Sequence, residues 1–69
     1  MNQDPLLNEA KQFILENQIV SVAALQRKFR IGFNRGQRIM EQLEQEGFVS
    51  ALDKNFKRTI LGENNEKRS

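Results

Sequence analysis

The sequence predicts a mainly α fold with a small antiparallel sheet, built from three helices followed by a C-terminal β-hairpin. Apolar residues recur at helical spacing in three stretches, and capping or turn residues separate these stretches. After Gly47 the pattern changes to two short apolar runs on either side of a polar tip. A chain of 69 residues makes one domain with a small core. We expect a flexible N-terminus at 1–3, the folded domain at 4–61 and a disordered tail at 62–69.

The first helix is predicted over residues 5–17, starting at Asp4-Pro5. An aspartate accepts hydrogen bonds from the free N–H groups of a first turn, and proline at the first helical position has no N–H to lose. Ile19-Val20 is short and β-branched, which favours a brief strand. The chain therefore begins with a helix and a short extended link.

Two further helices are predicted, the second over 22–29 and the third over 33–46. Ser21 is positioned to cap the second helix. Arg30-Ile31-Gly32 interrupts the helical pattern, and we expect the glycine to supply the backbone angles of a tight turn. Gly47 is a natural end for the third helix.

The third helix has two distinct faces when its residues are placed at 100° intervals. The inward face holds Gly36, Ile39, Met40 and Leu43. The outward face holds Asn34, Arg38 and Glu41, with Arg35 and Gln37 at its flanks. The polar residues of this helix are therefore expected to project together into solvent.

The two C-terminal apolar runs, 48–52 and 57–61, predict a hairpin with its tip at 53–56. A short helix, a tight turn and a longer helix form a helix-turn-helix unit, and a hairpin after it forms a wing. The sequence thus predicts a winged helix-turn-helix domain. Its core is expected to comprise Phe13, Ile14, Leu25, Phe29, Ile31, Ile39, Leu43, Val49 and Ile60.

The composition excludes most enzyme chemistry. The chain has no cysteine and no histidine, which removes disulfides, thiol nucleophiles, the usual zinc ligands and imidazole acid–base catalysis. We see neither a nucleophile with its base nor a phosphate-binding loop, and we expect no enzyme activity, metal or cofactor. No apolar run approaches the ~20 residues of a membrane span, and the N-terminus does not have the pattern of a signal peptide.

Positive charge is concentrated between residues 21 and 40, which contain bases and no acid. Such a stretch is typical of a surface that contacts phosphate. Charge alone leaves a solvated face equally open. The basic residues of this stretch are Arg27, Lys28, Arg30, Arg35 and Arg38.

In a helix-turn-helix unit the second helix enters the major groove, where Arg pairs with guanine and Asn or Gln with adenine. The predicted base-reading residues are Asn34, Arg35 and Arg38. The predicted DNA backbone contacts are Arg27, Lys28, Arg30 and Gln37, and those of the wing are Lys54, Lys57 and Arg58. Four alternatives stay open. Arg27, Lys28 and Arg30 could form a plain solvated face. Asn34 and Gln37 could act only as a capping pair, and Arg38 could pair with Glu41 or Gln42. Phe56 could fold over the sheet or offer an apolar contact.

A specific run of residues resembles a known family. The stretch Leu25–Arg35, which contains QRKFRIGFNR, is followed by Arg38 and Glu41-Gln42. It is similar to the C-terminal gamma domain of FtsK and SpoIIIE DNA translocases, and Asp4-Pro5-Leu6 matches the start of that domain. The resemblance covers residues 4–61. It is weakest in the wing, where only Arg58 and Leu61 are retained, and Gly36 and Phe33 stand where the family has Ala and Tyr.

The resemblance implies a winged helix that recognises short, polarised, G-rich double-stranded DNA. Such a domain orients a membrane-anchored hexameric translocase that pumps chromosomal DNA at the division septum, and it contacts and activates the XerD recombinase. The domain itself would lie in the cytoplasm without membrane contact. It would be a monomer in isolation, with several copies able to share one DNA site.

Two other functions remain open at the sequence level. A winged-helix transcriptional regulator would normally need a dimerisation element, and none is visible. A protein-interaction winged helix would use its fold for a protein partner, with its basic stretch incidental.

Overall fold

A computed structural model describes residues 4–61 and shows three helices around one core. The helices are α1 (Leu7–Asn17), α2 (Val22–Phe29) and α3 (Phe33–Gln45). Helix α3 packs against both α1 and α2. The predicted flexible N-terminus at 1–3 and the predicted tail at 62–69 lie outside the described residues. The mainly α, three-helix part of the prediction is confirmed.

Helix α1 starts two residues later than predicted, because Asp4 forms a turn instead of capping the helix. The Asp4 carboxylate accepts the Leu6 N–H at 2.9 Å, and its main-chain carbonyl accepts the Leu7 N–H at 2.9 Å. Pro5 therefore lies in this turn, and the regular helix begins at Leu7.

Helix α2 has the predicted bounds and the predicted cap. The Ser21 hydroxyl accepts the Ala24 N–H at 3.2 Å, which satisfies one free donor of the first turn. The helix ends at Phe29, and the next residue, Arg30, is left-handed with φ 57° and ψ 48°. Gly32 has an ordinary φ of −78°. The expectation that Gly32 supplies the backbone angles of the tight turn was wrong. The left-handed residue of the turn is Arg30, and the backbone is already extended at Gly32.

Gly47 ends α3 as predicted, through a left-handed φ of 81°. The Gly47 N–H donates to the Glu44 carbonyl at 3.0 Å, and the Phe48 N–H donates to the Leu43 carbonyl at 2.9 Å. This pair of bonds is the Schellman motif, which satisfies carbonyls at a helix end. It turns the chain so that Phe48 and Val49 enter the core.

No regular strand is present in residues 4–61. Ile19-Val20 forms none, and the 48–61 segment contains a single antiparallel bridge between Val49 and Ile60. Its two arms do run side by side, since Ser50 N–H donates to Thr59 O at 2.9 Å. The tip turns back around Asp53 instead of extending the ladder. The predicted two-stranded wing is therefore not confirmed.

The core lies where the three helices meet the start of the 48–61 segment. Its fully buried large side chains are Ile14, Leu25, Ile39, Met40, Leu43 and Val49. Phe13 and Phe29, predicted as core, are only half-buried and pack edge to face at its margin, with ring centroids 6.1 Å apart. Ile31 and Ile60 likewise pack against the core from its edge.

Candidate nucleic-acid interface

Helix α3 presents one buried and one exposed face, divided as its sequence predicts. Gly36, Ile39, Met40 and Leu43 are buried. Asn34, Arg38 and Glu41 are exposed. The apolar contacts on the buried face fix the helix against α1 and α2, so the polar side chains on the other face project outward from a rigid support.

Asn34 and Arg38 lie one turn apart on the exposed face. The cap of α3 is Gly32 with no side-chain hydrogen bond, so Asn34 does not cap the helix. Within residues 4–61, Arg38 forms no ion pair with Glu41 or with any other acid. Both side chains are therefore available to a ligand, and their contact with DNA bases stays a prediction.

Arg35 is held by Asp4 through two hydrogen bonds. Its Nε donates to Asp4 Oδ2 at 2.9 Å and its Nη2 donates to Asp4 Oδ1 at 2.9 Å. These bonds lower the pKa of Asp4 and raise that of Arg35. The positive charge of Arg38 also acts on Asp4 and lowers its pKa further. The Asp4 carboxylate thus pairs with one predicted base-reading arginine and is within the electrostatic influence of a second.

The three basic residues at the end of α2 are exposed, and one of them, Lys28, faces α1. Lys28 Nζ lies 6.0 Å from the centre of the Phe13 ring. It lines a groove between α1 and α2 together with Glu9 and Glu16. Lys28 is therefore directed toward the acidic side of α1. Arg27 and Arg30 are exposed at the end of α2, immediately before α3.

Arg58 differs from the other predicted wing contacts. Lys54 and Lys57 are exposed, whereas the Arg58 side chain is 9% exposed. Its Nη1 donates to Glu44 Oε1 at 2.8 Å and to the Ser50 carbonyl at 2.9 Å. Arg58 thus fixes the 48–61 segment to α3. Sequence reasoning missed both acid–arginine pairs, because each joins residues that no helical period relates.

A groove of about 320 Å³ separates α3 from the tip of the 48–61 segment. Gln37, a predicted backbone contact, lines it from α3, and Phe56 lines it from the tip. Phe56 is 82% exposed and left-handed with φ 61°. It does not cover the segment, so of its two predicted arrangements the structure favours an outward apolar side chain. The other lining residues are Val20, Ser21, Val22, Met40, Leu52 and Arg58.

Residues 4–61 contain no group of acidic, cysteine or histidine side chains that could hold a metal ion. None of their helices is long and apolar enough to cross a membrane.

Comparison with known proteins decides the family. A model of the Ftsk gamma domain matches residues 1–63. The chain belongs to the FtsK gamma domain family. It is 48% identical over 60 residues to the DNA translocase FtsK of Clostridium acetobutylicum, covering 87% of this chain and 8% of that protein. It is also 48% identical over 58 residues to the FtsK translocases of Haemophilus influenzae and Shewanella oneidensis, covering 84% of this chain and 11% and 6% of those proteins.

The FtsK matches confirm the resemblance stated from the sequence. This chain spans about a tenth or less of the length of these relatives. It matches the gamma domain alone, so it corresponds to a part of an FtsK translocase other than the ATPase motor.

Proposed function

We propose that this chain is a winged-helix, sequence-specific DNA-binding module of an FtsK-type translocase. It recognises short, polarised, G-rich duplex motifs and thereby orients the translocase during chromosome segregation at cell division. Helix α3 enters the major groove, and Asn34, Arg35 and Arg38 contact base edges. Arginine donates two bonds to guanine O6 and N7, which suits a G-rich motif.

The observation that carries the proposal is the exposure of Asn34 and Arg38 on a helix whose opposite face is buried. Base recognition needs side chains held in a fixed register, and the buried contacts of Ile39 and Leu43 supply that register. The N-terminal end of α3 adds partial positive charge near the same surface.

The remaining basic residues are assigned to contacts with the DNA backbone. Arg27 and Arg30 contact phosphates at the end of α2, and Lys54 and Lys57 do so from the 48–61 segment. Gln37 and Lys28 are weaker candidates on geometry, because Gln37 lines the groove beside Phe56 and Lys28 faces α1. Arg58 reaches DNA only by leaving Glu44. Phosphate contacts position the domain and make its affinity fall steeply with salt.

The experiment begins with selection of bound duplexes from a G-rich library, followed by titration of the chosen motif and a scrambled duplex of equal composition. Fluorescence anisotropy then measures both affinities for the wild type, Asn34→Ala and Arg38→Ala. Each variant is expected to lose about 1–3 kcal/mol more on the motif than on the scrambled duplex.

Arg27→Ala is the matched control. It removes one positive charge, as Arg38→Ala does, but from a predicted phosphate contact. It should weaken both duplexes equally and reduce the slope of log K against log salt by about one. If Arg38→Ala behaves like Arg27→Ala on both duplexes, the base-reading role of α3 is wrong.

A second candidate function is recognition of a protein partner, and the exposed Phe56 favours it. An exposed aromatic side chain beside a groove is a suitable anchor for a protein interface. We infer that XerD recombinase, the partner implied by the family resemblance, is contacted through this surface. Calorimetry with purified XerD tests this: Phe56→Ala should weaken binding at least tenfold, and Phe33→Ala, which changes an exposed phenylalanine on α3, should not.

An operator-binding regulator is the remaining alternative. It would form a stable dimer before binding paired half-sites. Gel filtration of the free chain is expected to give a monomer, and a stable dimer would favour the regulator.

A further inference from the structure

The Asp4 carboxylate engages only one edge of the Arg35 guanidinium. It accepts one bond from Nε and one from Nη2. A guanidinium has five N–H donors in a rigid plane, so this side-on pairing leaves both protons of Nη1 and one of Nη2. Within residues 4–61, Nη1 of Arg35 has no hydrogen-bond acceptor.

The remaining edge has the geometry that a guanine requires. Nη1 and Nη2 present two parallel N–H groups, and the major-groove edge of guanine presents two acceptors, O6 and N7. The Arg35 side chain is 40% exposed and that of Asp4 is 16% exposed. The arginine therefore reaches solvent while the acid that holds it is largely covered.

Asp4 is itself held in place. Its other contacts are the turn bonds to Leu6 and Leu7 and a long bond of 3.4 Å from its own N–H to Gln42 Oε1 on α3. A fixed acid fixes the rotamer of the arginine bound to it, which reduces the entropy that the arginine loses when it contacts a base.

We propose that Asp4 is a positioning residue for DNA specificity: it binds the Nε edge of Arg35 and directs the Nη1–Nη2 edge toward a guanine. Asp4 makes no DNA contact of its own. Its negative charge also disfavours a phosphate beside Arg35, so that Arg35 contributes to discrimination between sequences more than to general affinity. This inference rests on the proposed function, since it requires that α3 reads bases.

The test compares Asp4→Asn with the wild type on the selected G-rich duplex and on its scrambled counterpart. The asparagine amide has one acceptor oxygen instead of two and no charge, so it holds Arg35 less firmly and lets it rotate toward phosphate. The ratio of the two affinities is expected to fall about five- to tenfold, within the discrimination that one bidentate arginine–guanine contact provides. Glu16→Gln is the matched control, because it makes the same charge change at an exposed site on α1. It should raise both affinities slightly and leave their ratio unchanged.

Two further variants separate positioning from a structural role. Arg35→Lys keeps the positive charge but lacks the planar fork, so it should lose the same specificity while keeping its affinity for scrambled DNA. In the Arg35→Lys background, Asp4→Asn should change the ratio no further. A role of Asp4 in stability alone would shift the thermal midpoint of each variant without moving the affinity ratio.

The outcomes are distinguishable from failure of the proposed function. If Asn34→Ala and Arg38→Ala reduce the ratio but Asp4→Asn does not, the function stands and the positioning role is wrong. An increased ratio in Asp4→Asn would mean that the carboxylate competes with DNA for Arg35, which also overturns the proposal. A wild type that binds both duplexes equally overturns the proposed function and this inference together.

Discussion

Gly36 of α3 lies directly against Val22 of α2, so that a β-carbon at position 36 would stand 3.1 Å from Val22 Cγ1. This contact is tighter than ordinary van der Waals packing. Alanine stabilises a helix by up to about 1 kcal/mol relative to glycine. We expect the strain against Val22 to offset most of that gain, so that Gly36→Ala changes the free energy of unfolding by less than about 0.5 kcal/mol.

The same substitution in a Val22→Ala background isolates the contact. With the valine methyl groups removed, Gly36→Ala should stabilise the domain by about 0.5–1 kcal/mol. Urea denaturation of the four proteins in this cycle measures the difference. Equal effects in both backgrounds would show that α2 moves away from the added methyl group at no cost.

Arg30 is a non-glycine residue in the left-handed conformation, with φ 57° and ψ 48°. A glycine adopts these angles without the steric cost of a β-carbon. Arg30→Gly should therefore stabilise the domain by about 0.5–1 kcal/mol and at the same time weaken binding to motif and scrambled DNA alike. Thermal unfolding and anisotropy titrations measure the two effects.

Gln18 provides the matched control for that prediction. It ends α1 in nearly the same conformation, with φ 56° and ψ 38°, but it is uncharged. Gln18→Gly should give a similar stabilisation and leave DNA affinity unchanged. Stabilisation at position 18 but not at position 30 would mean that the Arg30 side chain stabilises the folded domain.

Arg58 stabilises the attachment of the 48–61 segment to α3. Its removal leaves the Ser50 carbonyl and the Glu44 carboxylate, both only partly buried, without their shared donor. Two such hydrogen bonds contribute about 1–3 kcal/mol together. We expect Arg58→Ala to lower the free energy of unfolding by that amount. Lys57→Ala, at the exposed neighbouring position, should change it by less than about 0.5 kcal/mol. Equal effects of the two variants in urea denaturation would show that the ion pair contributes nothing.

Acid should destabilise the domain partly through Asp4. The hydrogen bonds from Arg35 hold the pKa of this carboxyl below its ordinary value of 3.8. Between the two pKa values the unfolded chain binds more protons, so stability rises with pH there. The stability that Asp4 contributes is complete at a pH above its ordinary pKa and is lost as the pH falls through its lowered pKa. Circular dichroism melts from about pH 5 to pH 2 should show a shallower loss for Asp4→Asn than for the wild type.

Asp53 provides a comparison within the same titration. Backbone hydrogen bonds from Lys57 and Asn55 lower its pKa as well, so Asp4→Asn should retain part of the acid dependence. Asp53→Asn should reduce the slope independently, and the two effects should add because no contact joins the residues. If the stability of Asp4→Asn depends on pH as steeply as that of the wild type, the Asp4–Arg35 pair of the wild type does not persist in solution.

Local patterns predicted the helices well and their ends less well. Ser21 and Gly47 act as their types suggest, because a cap and a left-handed stop depend on neighbouring residues alone. Asp4 and Gly32 do not. Asp4 forms a turn with Leu6 and pairs with the distant Arg35, and the left-handed turn after α2 is already made at Arg30, before the chain reaches Gly32. The hairpin was expected from its apolar runs, but the tip turns back around Asp53 and leaves one bridge between Val49 and Ile60.

The site was predictable to the extent that it follows helical periodicity. The positions of Asn34 and Arg38 opposite Ile39 and Leu43 follow from spacing on one helix. The partners of the arginines do not: Asp4 lies 31 positions from Arg35, and Glu44 lies 14 from Arg58. Such pairs depend on how separate elements pack, which no periodic pattern in one element contains.

The single bridge between Val49 and Ile60 also has an evolutionary consequence. Residues 51–57 are exposed and contribute nothing to the buried core, so insertions or exchanges there leave the three helices intact. The fold therefore constrains this tip less than it constrains α3, and selection on residues 51–57 would act mainly through the contacts proposed for Lys54, Phe56 and Lys57.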